Sequence, residues 1–109
     1  MTSTALLSNP SRDTLILTIG SQSVDHFVDL VERFDQATRS ACRSLVLDLS
    51  AVDRIDSDLL GLLLWAHGRL HERGAHLVLA RPSSATRALL AKSGLDHVLQ
   101  VSDELPAAA

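Results

Sequence analysis

The sequence predicts a small α/β layer fold whose first strand is antiparallel or lies at a sheet edge. Three observations point there. Short β-branched or apolar runs recur at residues 14–19, 45–49 and 76–80. Segments of helical periodicity separate them. The strand-helix-strand units are short, which demands parallel neighbours joined by right-handed crossovers. The chain has 109 residues, enough for one compact domain around one core.

Taken in order, Ala5 to Leu7 is expected to form a short edge strand, and Asn9-Pro10-Ser11 a turn. Thr14-Leu15-Ile16-Leu17-Thr18-Ile19 reads as a strand. Residues 20–23 are a loop, with Ser23 as N-cap and Asp25 favourable in the first turn of a helix over 24–38. Val24, Phe27, Val28, Val31 and Phe34 recur at three- and four-residue spacing and predict its buried stripe. Leu45-Val46-Leu47-Asp48-Leu49 lacks clean alternation, so it is expected inside the sheet with neighbours on both sides. A second helix spans 58–72 and stops at Gly74. His76-Leu77-Val78-Leu79-Ala80 is the next strand. Arg81-Pro82-Ser83 turns into a helix over 85–92, capped by Ser83 or Ser84 and stopped by Gly94. His97-Val98-Leu99-Gln100 reads as a last strand. The domain is expected over residues 1–101, with 102–109 as a tail holding one helical turn before Pro106.

Bulk properties narrow the function. Hydrophobic residues make up 46%, which fits a packed protein and excludes wholesale disorder. Aromatics are 3%, so Leu, Val, Ile and Ala must build the core. Net charge is −3, and the nine arginines are scattered from Arg12 to Arg87 without a cationic stripe. That argues against a dedicated nucleic-acid binder. Cys42 is alone, so no intrachain disulfide forms, and it reads as a partly buried structural thiol. No stretch approaches the roughly 20 apolar residues of a membrane span, so the expected location is the cytoplasm.

The region of interest is the turn Ile55-Asp56-Ser57-Asp58, between the third strand and the second helix. It sets two carboxylates and a hydroxyl at the positive end of a helix dipole. Both Asp56 and Ser57 suit capping, and Asp58 suits a first helical turn. Projected at about 100° per residue, Leu59, Leu63, Ala66 and Leu70 form the line that faces the sheet. Asp58, Leu62, Trp65 and Arg69 form a second line about a quarter turn away. Trp65 either tucks against a neighbouring helix or anchors a partner, since Trp and Arg are enriched at interfaces.

From Leu45 to Leu99 the chain resembles the STAS domain family, named for sulfate transporters and anti-sigma-factor antagonists. The segment LVLDLSAVDRIDS is similar to the family's strand and the Asp-Ser-Ser-Gly or Asp-Ser-Thr-Gly turn after it. LHERGAHLVL is similar to the next helix end, glycine and strand. RPSSATRALLAKSGLDHVL is similar to the third helix, its Ser-Gly-Leu turn and the final strand. The resemblance implies a four- to five-stranded mixed sheet with helices packed mainly on one face. It also implies a bacterial, non-catalytic regulator of transcription that works by partner-switching. In such antagonists, an anti-sigma factor that is also a serine kinase phosphorylates the residue after Asp-Ser and thereby breaks its own complex with the antagonist. Here Asp56 and Ser57 match the motif, Asp58 stands at the phosphoacceptor position, and Leu59 replaces the usual Gly. Asp58 is therefore expected to act as a permanent, weaker imitation of the phosphorylated state. The expected partner-binding residues are Asp56, Ser57, Asp58, Leu59, Leu62, Trp65 and Arg69. The expected partner is an anti-sigma kinase-like protein, with a homodimer also considered, and no cofactor or metal is expected.

Other readings fit less well. A phosphoacceptor receiver domain would use an acid near Asp53, but the acidic pair that holds Mg²⁺ and the late-strand Lys are missing. His67 and His71 share a helix face near His76, without a carboxylate or the HExxH pattern that completes a zinc site. No Gly-x-Ser-x-Gly elbow or Gly-rich phosphate loop is present. The stronger alternative lies within the family, where some STAS domains serve as accessory subunits of an ABC-type transport ATPase. The segment GLLLWAHGRL is similar to that group.

Overall fold

The computed structural model describes residues 5–8, 13–20 and 27–105. Its elements are β1 (Ala5–Ser8), β2 (Thr14–Ile19), α1 (Phe27–Arg39), β3 (Ser44–Asp48), α2 (Ser57–Glu72), β4 (His76–Ala80), α3 (Ser84–Ser93) and β5 (Gln100–Ser102). The five strands lie in chain order. β1 runs antiparallel to β2 at one edge, and β2 through β5 are parallel.

This order decides where the helices go. Successive right-handed crossovers that advance across a sheet in one direction leave every helix on the same face. Leu15, Leu17 and Ile19 of β2, Leu45 and Leu47 of β3, and Leu77 and Leu79 of β4 all project to that face. There they pack with Leu30 and Phe34 of α1, Leu59, Leu63, Ala66 and Leu70 of α2, and Leu90 of α3. Alternate residues point the other way, as strand geometry requires. Ile16, Val46 and Ala80 form a second, smaller buried cluster on that face, joined by Val78 and by Leu105 beyond β5.

The helix ends follow local chemistry. Gly74 and Gly94 sit at φ 75° and 76°, the left-handed conformation that lets the chain leave α2 and α3 without a Cβ penalty. Ser83 caps α3 by accepting a bond from the Thr86 N–H at 3.1 Å. The N-cap expected at Ser23, the helical residues Val24 and Asp25, and the turn at residues 9–11 lie outside the described residues.

Three expectations need correction. In α1 the buried stripe is Leu30, Phe34, Ala37 and Thr38, with Phe27 and Val31 partly buried. Val28 is 71% exposed, because it lies about 120° around the helix from that stripe. The last strand is Gln100–Ser102, not residues 97–100. After Gly94 the chain makes a single 3-10 turn, Leu95–His97, with the Val98 and Leu99 N–H groups both bonded to the Leu95 carbonyl. That turn uses up the residues expected to be extended. The strand ends at Ser102. Finally, residues 103–104 form a bend, and no helical turn follows through residue 105.

Candidate functional site

The link from β3 to α2 holds the predicted turn, and buried anchors fix it. The Leu49 N–H donates to the Ala80 carbonyl at 2.9 Å, and Val52 N–H donates to Leu49 O at 2.9 Å. Val52 and Ile55 are buried in the main core and pin the loop from inside. The Ser83 hydroxyl donates to the Asp53 carbonyl at 2.6 Å, joining this loop to the one before α3. The loop therefore presents its polar end from a rigid base.

Asp56 is the N-cap of α2. Its backbone is extended (φ −86°, ψ 175°), and its Oδ1 accepts the Leu59 N–H at 2.7 Å. One carboxylate thus satisfies one of the free donors at the helix start. Asp58, in the first turn, is exposed, and so is Ser57. Because Asp56 does the capping, Asp58 projects to solvent with no salt-bridge partner among the described residues. Leu59 is helical and buried, and its φ is not in the left-handed region.

The structure divides the seven predicted contact residues. Asp56, Ser57, Asp58, Trp65 and Arg69 share the exposed side of the turn and α2. Leu59 and Leu62 are only 3% and 7% exposed and belong to the core. Both seat the helix on the sheet. Leu62 lies on the flank of the outer ridge, but the neighbouring packing covers it.

Trp65 does not tuck away. It is 38% exposed, and the Arg69 guanidinium carbon sits 5.2 Å from its ring centre. This cation–π pair ties the indole to a guanidinium one turn along the helix. Leu64, equally exposed, lies beside it and was not among the predicted contacts. Gly61 and Gly68 occupy the same outer side, and a Cβ at either would meet nothing within 4 Å. Each costs the helix about 0.5–1 kcal/mol relative to Ala, with no close packing against it among the described residues. His67 and His71 stack at 5.8 Å on the adjoining flank. Among the described residues, no three His, Cys, Asp or Glu side chains converge as metal ligands.

A further feature was not predicted. Asp48, at the end of β3, is a buried charge at 4% exposure. Arg81 Nη2 donates to its Oδ2 at 2.9 Å and to Ser50 Oγ at 3.3 Å, and the Ser50 N–H donates to Asp48 Oδ1 at 3.1 Å. Burial pushes the Asp48 carboxyl up. The bonds from Arg81 and Ser50 and the Arg81 charge outweigh that, so its pKa stays below the ordinary carboxylate value. A signal was present: one carboxylate inside an apolar strand, LVLDL, must find a partner. Cys42 is buried, not partly buried, and Arg73 lies over it, donating to the Cys42 carbonyl at 2.6 Å and to Thr38 O at 3.2 Å.

The arrangement is one of surface presentation: an acidic helix start on a fixed loop, followed by an exposed aromatic and a cation on the same helix. No helix of the described residues is long and apolar enough to cross a membrane.

Comparison with known proteins agrees with the fold. No curated protein matches the sequence significantly. Solved structures do match in shape. An anti-sigma-factor antagonist (STAS) domain protein from Planctomyces limnophilus superposes with a TM-score of 0.80 at 15% identity, covering 93% of this chain and 91% of that one. An anti-sigma factor antagonist from Mycobacterium paratuberculosis gives 0.76 at 23% identity, covering 94% and 86%. The phosphorylated form of the Bacillus cell fate determinant SpoIIAA gives 0.73 at 20% identity, covering 92% of each chain. A family model described as "Mlab, STAS domain" matches residues 8–101. A match over that much of the sequence, on a five-stranded sheet with three helices on one face, places this chain in the STAS domain family.

Proposed function

We propose that this domain is a non-catalytic docking module of the anti-sigma-factor antagonist type. It presents the Asp56–Asp58 turn and the outer side of α2 to a cytoplasmic, kinase-like anti-sigma partner. The observation that carries the reading is the division of labour between two carboxylates. Asp56 caps α2, which leaves Asp58 exposed at the same helix end as a charge that the fold does not consume. Asp58 stands at the position that the family resemblance assigns to the phosphoacceptor. It carries about one negative charge against about 1.5 to 2 for phosphoserine. The interaction is therefore held in one state, set by a charge that cannot be removed. Trp65 and Arg69 supply an aromatic and a cationic contact beside it.

A second reading has one specific observation in its favour. The matching family model is of the Mlab type, which fits the alternative of an accessory subunit docked on a transport ATPase through the same surface.

The test is affinity capture from the native host, followed by mass spectrometry, with the wild-type chain, Asp58→Ser, Asp58→Ala and Trp65→Ala as baits. The expected result is a kinase-like ATPase, bound more tightly by Asp58→Ser, with phosphate appearing on the new serine. A transport ATPase in its place selects the second reading. Capture that is indifferent to residues 58 and 65 overturns both.

A further inference from the structure

We propose that His67 and His71 of α2 form a two-point binding site for a divalent transition-metal ion of the zinc, nickel and copper class. The site stands apart from the docking reading and does not rest on it. Imidazole nitrogen suits these ions, whereas magnesium and calcium take oxygen ligands.

The helix brings the two side chains together. Residues four apart stand one above the other, about 6 Å along the axis. Here the rings stack with centroids 5.8 Å apart and planes 25° from parallel. Two imidazoles on one tetrahedral ion, each bonded at about 2.0–2.1 Å, have centroids about 5 Å apart. The pair therefore stands within about 1 Å of the chelating separation, a gap that side-chain rotation spans on a fixed backbone. Among the described residues, no ring nitrogen of either histidine makes a hydrogen bond or ion pair, so their donor capacity is not spent on the fold. The neighbouring arginines are engaged elsewhere. Arg69 lies over Trp65, and Arg73 donates to Cys42 and Thr38. His71 is exposed and His67 half-buried, which opens the pair to solvent on the flank of α2.

Among the described residues no third protein ligand converges, and this sets the character of the site. A structural zinc site closes its coordination sphere with protein ligands. Two ligands leave positions for water or for a donor from another molecule, so the ion is held by chelation and exchanges. Only the folded helix presents both rings at this spacing. Binding therefore clamps one turn of α2 and stabilises the folded chain.

The experiment titrates the full chain with nickel chloride and zinc chloride, with magnesium chloride as control, and reads calorimetry and melting temperature. The expected result is one Ni²⁺ or Zn²⁺ per chain with a dissociation constant at or below about 100 μM. The melting temperature should rise by about 4 °C or more at about 1 mM ion, and Mg²⁺ should change nothing. His67→Ala and His71→Ala should each weaken binding about tenfold or more, because chelation needs both rings. His97→Ala should bind as the parent does. Melting of each variant with a chelator present reports its folding, and the exposure of His71 keeps that variant free of packing effects. In NMR spectra, substoichiometric Ni²⁺ should broaden signals around His67 and His71 first. A chain that binds neither ion at about 1 mM overturns the proposal. Binding that survives both alanine variants overturns it too, since the ion then sits elsewhere. Loss in only one variant also overturns it, because a single imidazole is not a chelate.

Discussion

The Arg81 guanidinium lies 2.9 Å from Asp48 Oδ2 and ties together the ends of two neighbouring parallel strands. Arg81 also holds φ at 53°, the one described non-glycine residue in the left-handed region. Its side chain is half exposed and Asp48 is not. Solvent screens the pair, but the carboxylate depends on it. Removing the guanidinium with Arg81→Ala should destabilise the fold by about 1–3 kcal/mol. Arg81→Gly loses the same bond but relieves the backbone, so it should be more stable than Arg81→Ala by about 1 kcal/mol. Urea unfolding of the two variants measures the difference. Equal midpoints would show that the φ value carries no cost.

The same pair makes stability depend on acid. The Asp48 carboxyl titrates below its ordinary value in the folded chain, so above about pH 4 it contributes stability that is lost as pH falls through the folded pKa. Asp48→Asn should flatten the loss of stability in the acid range relative to the parent chain. With Arg81→Ala the guanidinium no longer holds the folded carboxyl down, its pKa moves up towards the unfolded value, and the loss of stability on acidification should shrink. Unfolding free energies measured from about pH 6 down to about pH 2 test both shifts.

What could be read from the sequence depended on whether the chemistry was local. The strands β2 and β4 and the glycine stops at Gly74 and Gly94 were legible because each is decided by a few adjacent residues. The packing line of α2 was legible because its period is that of the helix. The last strand was misplaced because a 3-10 turn at Leu95–His97 competes with extended structure on equal terms in a short apolar run. Val28 was assigned to the core because apolar spacing in α1 does not say where the stripe is centred until the sheet is present. The Asp48–Arg81 pair spans 33 positions, so neither residue points to the other in the sequence, although a carboxylate inside LVLDL called for some partner. At the candidate site, the roles of Asp56 and Asp58 separate only once the helix start is known to lie at Ser57, one residue before the expected position.

That separation can be measured. Asp56 accepts the Leu59 N–H at 2.7 Å, whereas Asp58 makes no capping bond. Asp56→Ala should cost about 1 kcal/mol, which is several degrees in melting temperature for a domain of this size. Asp56→Asn and Asp56→Ser should recover most of it, because the bond needs an acceptor and not a full charge. Asp58→Ala should cost no more than about 0.5 kcal/mol, the dipole contribution alone. Thermal unfolding followed by circular dichroism ranks the four variants. An Asp58→Ala loss as large as that of Asp56→Ala would mean that residue 58 is committed to the fold, and the docking proposal would lose its main support.

The C-terminal segment tests how far the domain extends. Strand β5 ends at Ser102, whose carbonyl accepts the Arg81 N–H at 2.8 Å, and Leu105 packs against the cluster of Ile16, Val46 and Ala80. A chain cut after Val101 loses the Arg81 bond at the strand where the Asp48 pair is anchored, and it uncovers the apolar side of the sheet that bears no helix. Half-burial of one leucine is worth about 1 kcal/mol, and the backbone bond adds about 0.5–1.5 kcal/mol. The truncated chain should therefore unfold about 1–3 kcal/mol more easily than the full one, and Leu105→Ala alone should reproduce the smaller part of that loss. The Arg87–Asp103 ion pair is exposed and adds little, so Asp103→Asn should leave the midpoint unchanged. Chemical denaturation of the three variants apportions the effect. A truncated chain as stable as its parent would set the domain boundary at residue 101 and leave Leu105 resting on the sheet without holding it.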